Sequence, residues 1–181
     1  MNEYERWRKY FLGIRQRHAY WMYKVIDDIL NENKQIMGII EIGTGKGALS
    51  IFLGLECYER GLKPLLTYDV LDIIKPKLFD LLGIRFIVRN CFEEFSVKEI
   101  REYADNPILL VCDGGNKKKE FNAFTRYLKK DSIVAAHDWN TEIKLEHVQD
   151  TINKYDMKPL HKEEWDSPPD YIKTCFWRKM K

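Results

Sequence analysis

From residue 35 onward, short apolar runs alternate with segments of mixed apolar and charged residues. Most of the apolar runs are continuous, which is the pattern of strands buried on both faces of a sheet. Their lengths also fit strands rather than helices. The predicted strands cover residues 35–42, 64–70, 84–89, 108–112, 132–136, 157–161 and 171–178.

The segments between these runs are of helical length and pattern. The predicted helices cover residues 4–33, with a break near Gly13, and 48–60, 75–82, 96–104, 117–130 and 141–155. Strands that alternate with helices form a parallel sheet, because each helix crosses one face to reach the next strand. No helix separates the last two strands, so the last is expected to run antiparallel. The sequence therefore predicts a doubly wound, Rossmann-like α/β fold with a mostly parallel seven-stranded sheet.

The length of 181 residues suits one domain with a short arm. We expect residues 1–34 to form a helical N-terminal segment and residues 35–181 to form the domain. Aromatic residues such as Trp7 and Trp21 lie among basic residues in the N-terminal segment. We expect this segment to form a lid or a homodimer contact. The alternatives for its basic and aromatic residues are binding of RNA or aromatic substrates and docking of an amphipathic helix on its own domain.

The charge balance narrows the classes of partner. There are 30 basic and 28 acidic side chains, for a formal net charge of +2, which argues against a general nucleic-acid partner. No apolar run reaches the roughly 18 residues of a membrane span, so no membrane association is expected. Four widely spaced cysteines and the lack of an apolar signal-peptide core predict reduced thiols in a cytoplasmic protein.

A glycine-rich turn, Glu41-Ile42-Gly43-Thr44-Gly45-Lys46-Gly47, joins the first predicted strand of the sheet to the next helix. Glycines there let a ligand approach the backbone, and the start of the helix offers free N–H groups to an anion. A Walker phosphate loop ends in Gly-Lys-Ser/Thr, which this turn lacks. Gly43, Gly45 and Ala48 fit the dinucleotide fingerprint, so this turn alone leaves an NAD enzyme open.

Acidic residues follow later strands at the same expected edge of the sheet. Asp69 ends the second strand, where an acid can accept both hydroxyls of a ribose, and Asp72 is the competing candidate. Asp113 and Asp138 follow the fourth and fifth strands, which are expected neighbours. Two carboxylates brought together require a proton or a metal ion, and oxygen ligands suit a hard divalent cation.

The motif Glu41-x-Gly43-x-Gly45-x-Gly47 resembles the first motif of class I S-adenosylmethionine-dependent methyltransferases. The resemblance covers about residues 36–178 and implies that S-adenosylmethionine binds at this edge of the sheet. Asn90 stands where the family commonly has an acid that contacts adenine. The implied donor-binding residues are Glu41, Gly43, Thr44, Gly45, Gly47, Asp69, Asn90, Cys91, Phe92 and Asp113. Two have structural alternatives, since Glu41 could hold the loop amides and Phe92 could belong to the core.

The pair Asp113 and Asp138 resembles the metal site of O-methyltransferases of the catechol type and of the cephalosporin hydroxylase/rhamnosyl O-methyltransferase-like group. The resemblance implies Mg²⁺, with His137 as a third ligand and Asn140 as an alternative. It also implies catalytic roles for Asp113 and for Lys117, which would deprotonate a hydroxyl or anchor an anionic substrate. The structural alternative for Lys117 is a solvated run of charges.

The predicted function is methyl transfer from S-adenosylmethionine to the hydroxyl of a small molecule, assisted by a divalent metal ion. The protein would hold donor and nucleophile close together, and the metal would lower the pKa of the hydroxyl. One alternative is an NAD-dependent oxidoreductase, although no Ser/Tyr/Lys constellation for hydride transfer is evident. A second alternative is a methyltransferase-like module that binds its ligand without catalysis.

Overall fold

The main structural feature is a seven-stranded sheet. The structure is a computed structural model, which describes residues 10–11, 14–15, 18, 20–72, 77–166 and 173–181. A separate two-stranded pair precedes the sheet. In chain order, the strands are β1 (Tyr10–Phe11), β2 (Ile14–Arg15), β3 (Ile39–Ile42), β4 (Leu66–Asp69), β5 (Arg85–Val88), β6 (Leu109–Cys112), β7 (Ile133–His137), β8 (Lys158–Leu160) and β9 (Thr174–Arg178).

Helices alternate with these strands, as the apolar pattern predicts. They are α1 (Tyr20–Glu32), α2 (Ala48–Arg60), α3 (Leu78–Leu81), α4 (Glu94–Tyr103), α5 (Lys117–Phe124), α6 (Leu145–Lys154) and α7 (Lys162–Trp165), with a 3₁₀ turn at Thr125–Tyr127. Within the described ranges, no helix combines the length and apolarity needed to cross a membrane.

The strand order of the sheet is β5-β4-β3-β6-β7-β9-β8. Strands β5, β4, β3, β6 and β7 pair in parallel, and β9 runs antiparallel to both β7 and β8. The predicted fold class and the antiparallel last strand are therefore confirmed. The chain winds outward from β3 first to β4 and later to β6, so the strand order reverses between β3 and β6. In α/β sheets a crevice forms beyond the strand ends at this reversal.

The core explains why the apolar runs are continuous. All the residues of β3 and β6 are buried, and Leu109, Leu110 and Val111 are 0% exposed. Strand β5 lies at an edge and is partly exposed along its length. The four cysteines are free and buried, as predicted for reduced thiols.

The N-terminal prediction is partly wrong. Residues 10–11 and 14–15 pair as antiparallel strands instead of continuing a helix, and α1 begins only at Tyr20. From there α1 buries Met22, Ile26 and Ile29 in the core of the domain. The predicted helical residues 4–9 lie outside the described residues, together with Trp7. The division at residue 34 and the lid or dimer role stay predictions.

Three other boundaries differ from the predictions. Helix α6 begins at Leu145 instead of residue 141, because residues 138–143 form a loop whose backbone amides bond within it. The predicted helix 117–130 ends at Phe124 and continues as the 3₁₀ turn. The predicted loop 162–170 contains α7, while its Pro168-Pro169 and the starts of helix 75–82 and strand 171–178 lie outside the described residues.

Candidate active site

The glycine turn lies at the reversal of strand order and is tied to the neighbouring strand. The backbone N–H groups of Gly43 and Thr44 both donate to the carbonyl of Tyr68, at 2.8 and 3.2 Å. The side-chain oxygen of Thr44 lies 2.7 Å from that of Thr67, also on β4. The turn is therefore fixed in position before any ligand binds.

Gly43 allows the turn to pass directly against the end of β6. Its φ is +99°, and a Cβ built there would lie 2.4 Å from the carbonyl oxygen of Asp113 and 2.8 Å from the amide nitrogen of Gly114. Both are backbone atoms, which cannot move aside as the end of a flexible side chain could. Only glycine at position 43 therefore allows the turn to lie against the backbone of Asp113.

Asp69 holds the far side of the same turn. Its Oδ2 accepts the N–H of Gly45 at 2.9 Å, and its Oδ1 accepts the N–H of Leu71 at 3.0 Å. An ionised carboxylate has about four acceptor sites, so Asp69 keeps acceptor capacity for a ligand. Asp72, the competing candidate, is exposed.

Glu41 lies beneath the turn and is fully buried. Its Oε2 accepts the hydroxyls of Ser50 and Thr67 at 2.5 and 2.6 Å, while Oε1 has no hydrogen-bond partner among the described residues. Glu41 does not hold the amides of Gly43 and Thr44, as the structural alternative for this residue proposed, because both donate to Tyr68. Burial raises the pKa of Glu41 to about 7, outweighing the two hydroxyl donors.

This pKa predicts a pH dependence of stability that a single substitution removes. A buried acid that binds its proton more tightly when folded stabilises the fold at low pH, and this contribution is lost as pH rises through the folded pKa. Between pH 4.5 and 7 the loss amounts to about 3 kcal/mol. Glu41→Gln resembles the protonated acid and does not titrate. The free energy of unfolding of the variant, relative to that of the wild type, should therefore rise as the pH rises across this range.

Urea denaturation of both proteins at several pH values measures this difference. The exposed Glu59 provides the control, and Glu59→Gln should change the free energy of unfolding little at any of these pH values. Parallel curves for wild type and Glu41→Gln would show that folding does not change the pKa of Glu41.

The predicted adenine segment, residues 90–92, is built into local contacts. Asn90 is exposed, and its Oδ1 accepts the N–H of Phe92 at 3.0 Å. The ring of Phe92 stacks on that of Phe124 at 5.3 Å, with the Lys119 ammonium 4.0 Å from its centroid. Cys91 is buried, and this burial raises the pKa of its thiol to about 12. The adenine contacts of these residues stay predictions.

Asp113 and Asp138 face a common cation, the ammonium of Lys117. Lys117 Nζ lies 3.2 Å from Asp138 Oδ2, 2.9 Å from Glu142 Oε2 and 3.9 Å from Asp113 Oδ1, and it donates to the Gly114 carbonyl at 3.0 Å. Burial alone would lower the pKa of Lys117, but the surrounding carboxylates outweigh it and the net shift is upward. The predicted solvated charge run therefore does not describe Lys117, which is buried.

The loop that carries these residues is fixed from below by Glu120. This buried side chain accepts the N–H groups of Gly114 at 3.2 Å and Asn116 at 3.0 Å. The Asn116 side chain in turn accepts the N–H of Lys119 and caps α5. Asn140, the alternative metal ligand, is exposed and caps no helix, because α6 begins five residues later.

His137 ends β7 and lies against Asp113. Its ring centroid is 4.6 Å from that of His18, and His18 Nε2 lies 2.8 Å from Asp113 Oδ2. One potential ligand atom from each of His18, Asp113 and His137 lies within 4.8 Å of the other two. Burial lowers the pKa of His137 and thereby favours the neutral imidazole.

The chain was compared with known proteins by sequence and by structure. No protein-family model matches the chain, and no curated protein matches its sequence. A CmcI apo-structure matches with a TM-score of 0.70 and 11% identity over 98% of this chain and 84% of that chain. MycE methyltransferase from the mycinamycin biosynthetic pathway, in complex with Mg and SAH, matches with a TM-score of 0.59 and 18% identity. A putative O-methyltransferase from Klebsiella pneumoniae matches at 0.56 and 14% identity, over 93% of this chain and 84% of that chain.

The chain has a class I methyltransferase fold. The MycE match covers 90% of this chain but only 47% of MycE, so the chain spans about half of that protein. Within this methyltransferase fold, the predicted donor and metal residues gather at one edge of the sheet. The glycine turn, Asp69, Asp113, His137 and Asp138 all lie there.

Sequence analysis missed His18 in this group. It lies 95 positions from Asp113 and precedes α1, with no recognisable ligand spacing to any other candidate. The only available signal was the expectation that the N-terminal segment closes over the active edge. That expectation names a region and not a residue.

Proposed function

We propose that this protein is an S-adenosylmethionine-dependent methyltransferase that methylates the hydroxyl of a small molecule with the help of a divalent cation. The observation that carries the proposal is the direct contact between the glycine turn at Gly43 and the backbone of Asp113. It brings the expected donor site and the expected cation site together at the reversal of strand order. The methyltransferase fold and the Mg and SAH in the MycE structure support the same function.

Donor binding would fall to the glycine turn and Asp69. The first turn of α2 supplies backbone N–H groups, which suit the carboxylate of the amino-acid portion of the donor. Asp69 suits the ribose hydroxyls, since it is partly exposed and keeps free acceptor capacity. When bound, S-adenosylmethionine supplies an activated methyl group, and the protein supplies alignment.

The side chains at the expected cation site suit a divalent cation. Three ligand atoms from His18, Asp113 and His137 converge, and His18 Nδ1 is buried without a hydrogen-bond partner among the described residues. When bound, a divalent cation makes an acceptor hydroxyl more acidic. Lys117 is surrounded by carboxylates and its pKa is raised, so we assign it the role of a fixed positive charge rather than of a base.

A matched pair of aspartate substitutions tests donor binding. Asp69→Asn should weaken binding of S-adenosylhomocysteine by about 10- to 100-fold, because a charge-assisted hydrogen bond is lost. Asp72→Asn should leave the affinity unchanged, because Asp72 is exposed. Isothermal titration calorimetry measures both affinities. An effect of Asp72→Asn alone would move the ribose site off Asp69.

A further inference from the structure

We infer that the cation of this site is a transition-metal ion, such as Zn²⁺ or Fe²⁺, held by His18, Asp113 and His137. The sequence instead predicts Mg²⁺ on Asp113, Asp138 and His137. The inference rests on the proposed function only for what the ion does, because the ligand set follows from the positions of the side chains. It makes the N-terminal segment, through His18, part of the active site.

The three side chains are close enough to share an ion. Zn²⁺ binds imidazole nitrogen at about 2.0–2.1 Å, so two nitrogens on one ion lie within about 4.2 Å of each other. The potential ligand atoms of the three residues already lie within 4.8 Å of one another, and His18 and Asp113 approach to 2.8 Å. Side-chain movements of less than an ångström would complete the site.

The partner of His137 leaves one of its ring nitrogens available. The Thr174 hydroxyl lies 2.8 Å from His137 Nδ1 and 3.3 Å from Met22 Sδ, and it donates to the sulfur when Nδ1 carries the ring proton. In that tautomer Nε2 presents a lone pair. Metal-ligating histidines are commonly oriented by such a hydrogen bond on the nitrogen away from the metal. Both Thr174 and Met22 are buried, which fixes the arrangement.

Asp138 is engaged in a different interaction. Its Oδ2 bonds Lys117 Nζ at 3.2 Å, and its Oδ1 lies 3.6 Å from His137 Nε2. A cation between Asp113 and Asp138 would have to displace or repel an ammonium that is already there. His18 lies on Asp113 Oδ2, whereas the ammonium approaches Asp113 Oδ1.

Two imidazoles and one carboxylate favour a transition metal. Mg²⁺ prefers oxygen ligands and retains several waters, whereas imidazole suits Zn²⁺, Cu²⁺, Fe²⁺ and Ni²⁺. Two histidines and one carboxylate also leave coordination positions open for a substrate oxygen and water. The ligand set therefore fits a catalytic cation better than a closed structural one.

Metal binding by apoprotein tests the inference without any methyl acceptor. In calorimetric titrations, Zn²⁺ and Co²⁺ should bind tighter than Mg²⁺ by about two orders of magnitude or more. His18→Ala should weaken Zn²⁺ binding by about 100-fold, and Thr174→Val by about 10- to 100-fold through loss of the hydrogen bond to His137. Asp138→Asn should retain the wild-type affinity, and its left-handed backbone suits asparagine.

His161 provides the control histidine. It contacts Glu32 at the far end of α1, about 18 Å from the start of that helix, so His161→Ala should not change Zn²⁺ binding. Circular dichroism of each variant checks that the fold is intact. A loss of Zn²⁺ affinity in Asp138→Asn, with no loss in His18→Ala, would support the ligand set predicted from the sequence and overturn the inference.

The unmutated protein gives a second test that does not depend on any variant folding. In ¹⁵N NMR of histidine side chains, Zn²⁺ should shift one ring nitrogen of His18 and one of His137, and leave His147 and His161 unshifted. A shift of His137 alone, or tighter binding of Mg²⁺ than of Zn²⁺, would contradict the inference. Either result would leave binding of the methyl donor untouched, so it is distinguishable from failure of the proposed function.

Discussion

Gly43→Ala is expected to abolish binding of S-adenosylhomocysteine and to destabilise the fold by more than about 3 kcal/mol. The new methyl group would lie 2.4 Å from the carbonyl oxygen of Asp113, and the backbone φ of +99° is strained for any residue with a side chain. The turn or the end of β6 would have to move, and either movement disrupts the site. Urea denaturation and calorimetry measure the two effects.

The control for this substitution is Gly61→Ala. Gly61 ends α2 with a φ of +65°, and a Cβ there would meet no atom within 4 Å. It therefore carries the strain of a left-handed backbone, about 1–2 kcal/mol, without the collision. Equal effects from Gly43→Ala and Gly61→Ala would mean that the contact with Asp113 is not tight.

Lys117→Met should lower the free energy of unfolding by about 2–4 kcal/mol. Its ammonium is surrounded by Asp138, Glu142 and Asp113, and removing the charge leaves these carboxylates uncompensated in a partly buried cluster. The pKa of Lys117 is raised on folding, so its stabilisation is fully present below the ordinary lysine pKa and lost as pH rises through the folded value.

The neighbouring Lys118 is exposed on the same helix and gives a matched control, Lys118→Met. This variant should unfold at nearly the wild-type urea concentration. Acid should narrow the gap between Lys117→Met and wild type, because protonated acids no longer repel each other. A gap that is constant down to pH 3 would show that the surrounding carboxylates do not account for the stabilisation by Lys117.

The sheet could be predicted from the sequence because burial on both faces leaves a direct mark. Runs such as residues 108–112 are continuously apolar, and the structure buries every residue of β6. The glycine turn was predictable for a similar reason, since its backbone geometry demands particular residues. Gly43 is required both by its φ and by the approach of Asp113.

The site was less predictable because its contacts are set by tertiary packing. Lys117 lies close to both Asp113 and Asp138, although its charge alone favoured a solvated surface. His18 reaches Asp113 only because α1 packs its apolar face on the domain. A loop at residues 138–143 replaces the start of a predicted helix, and Trp139 within it packs on Trp165 and Trp177.

The central claim is that the glycine turn binds the methyl donor, and a titration of wild-type protein tests it most directly. Calorimetry with S-adenosylhomocysteine and with NAD in parallel separates the methyltransferase from the oxidoreductase. We predict saturable binding of one S-adenosylhomocysteine per chain and none of NAD. Binding of NAD without binding of S-adenosylhomocysteine, or binding of neither, would contradict the account.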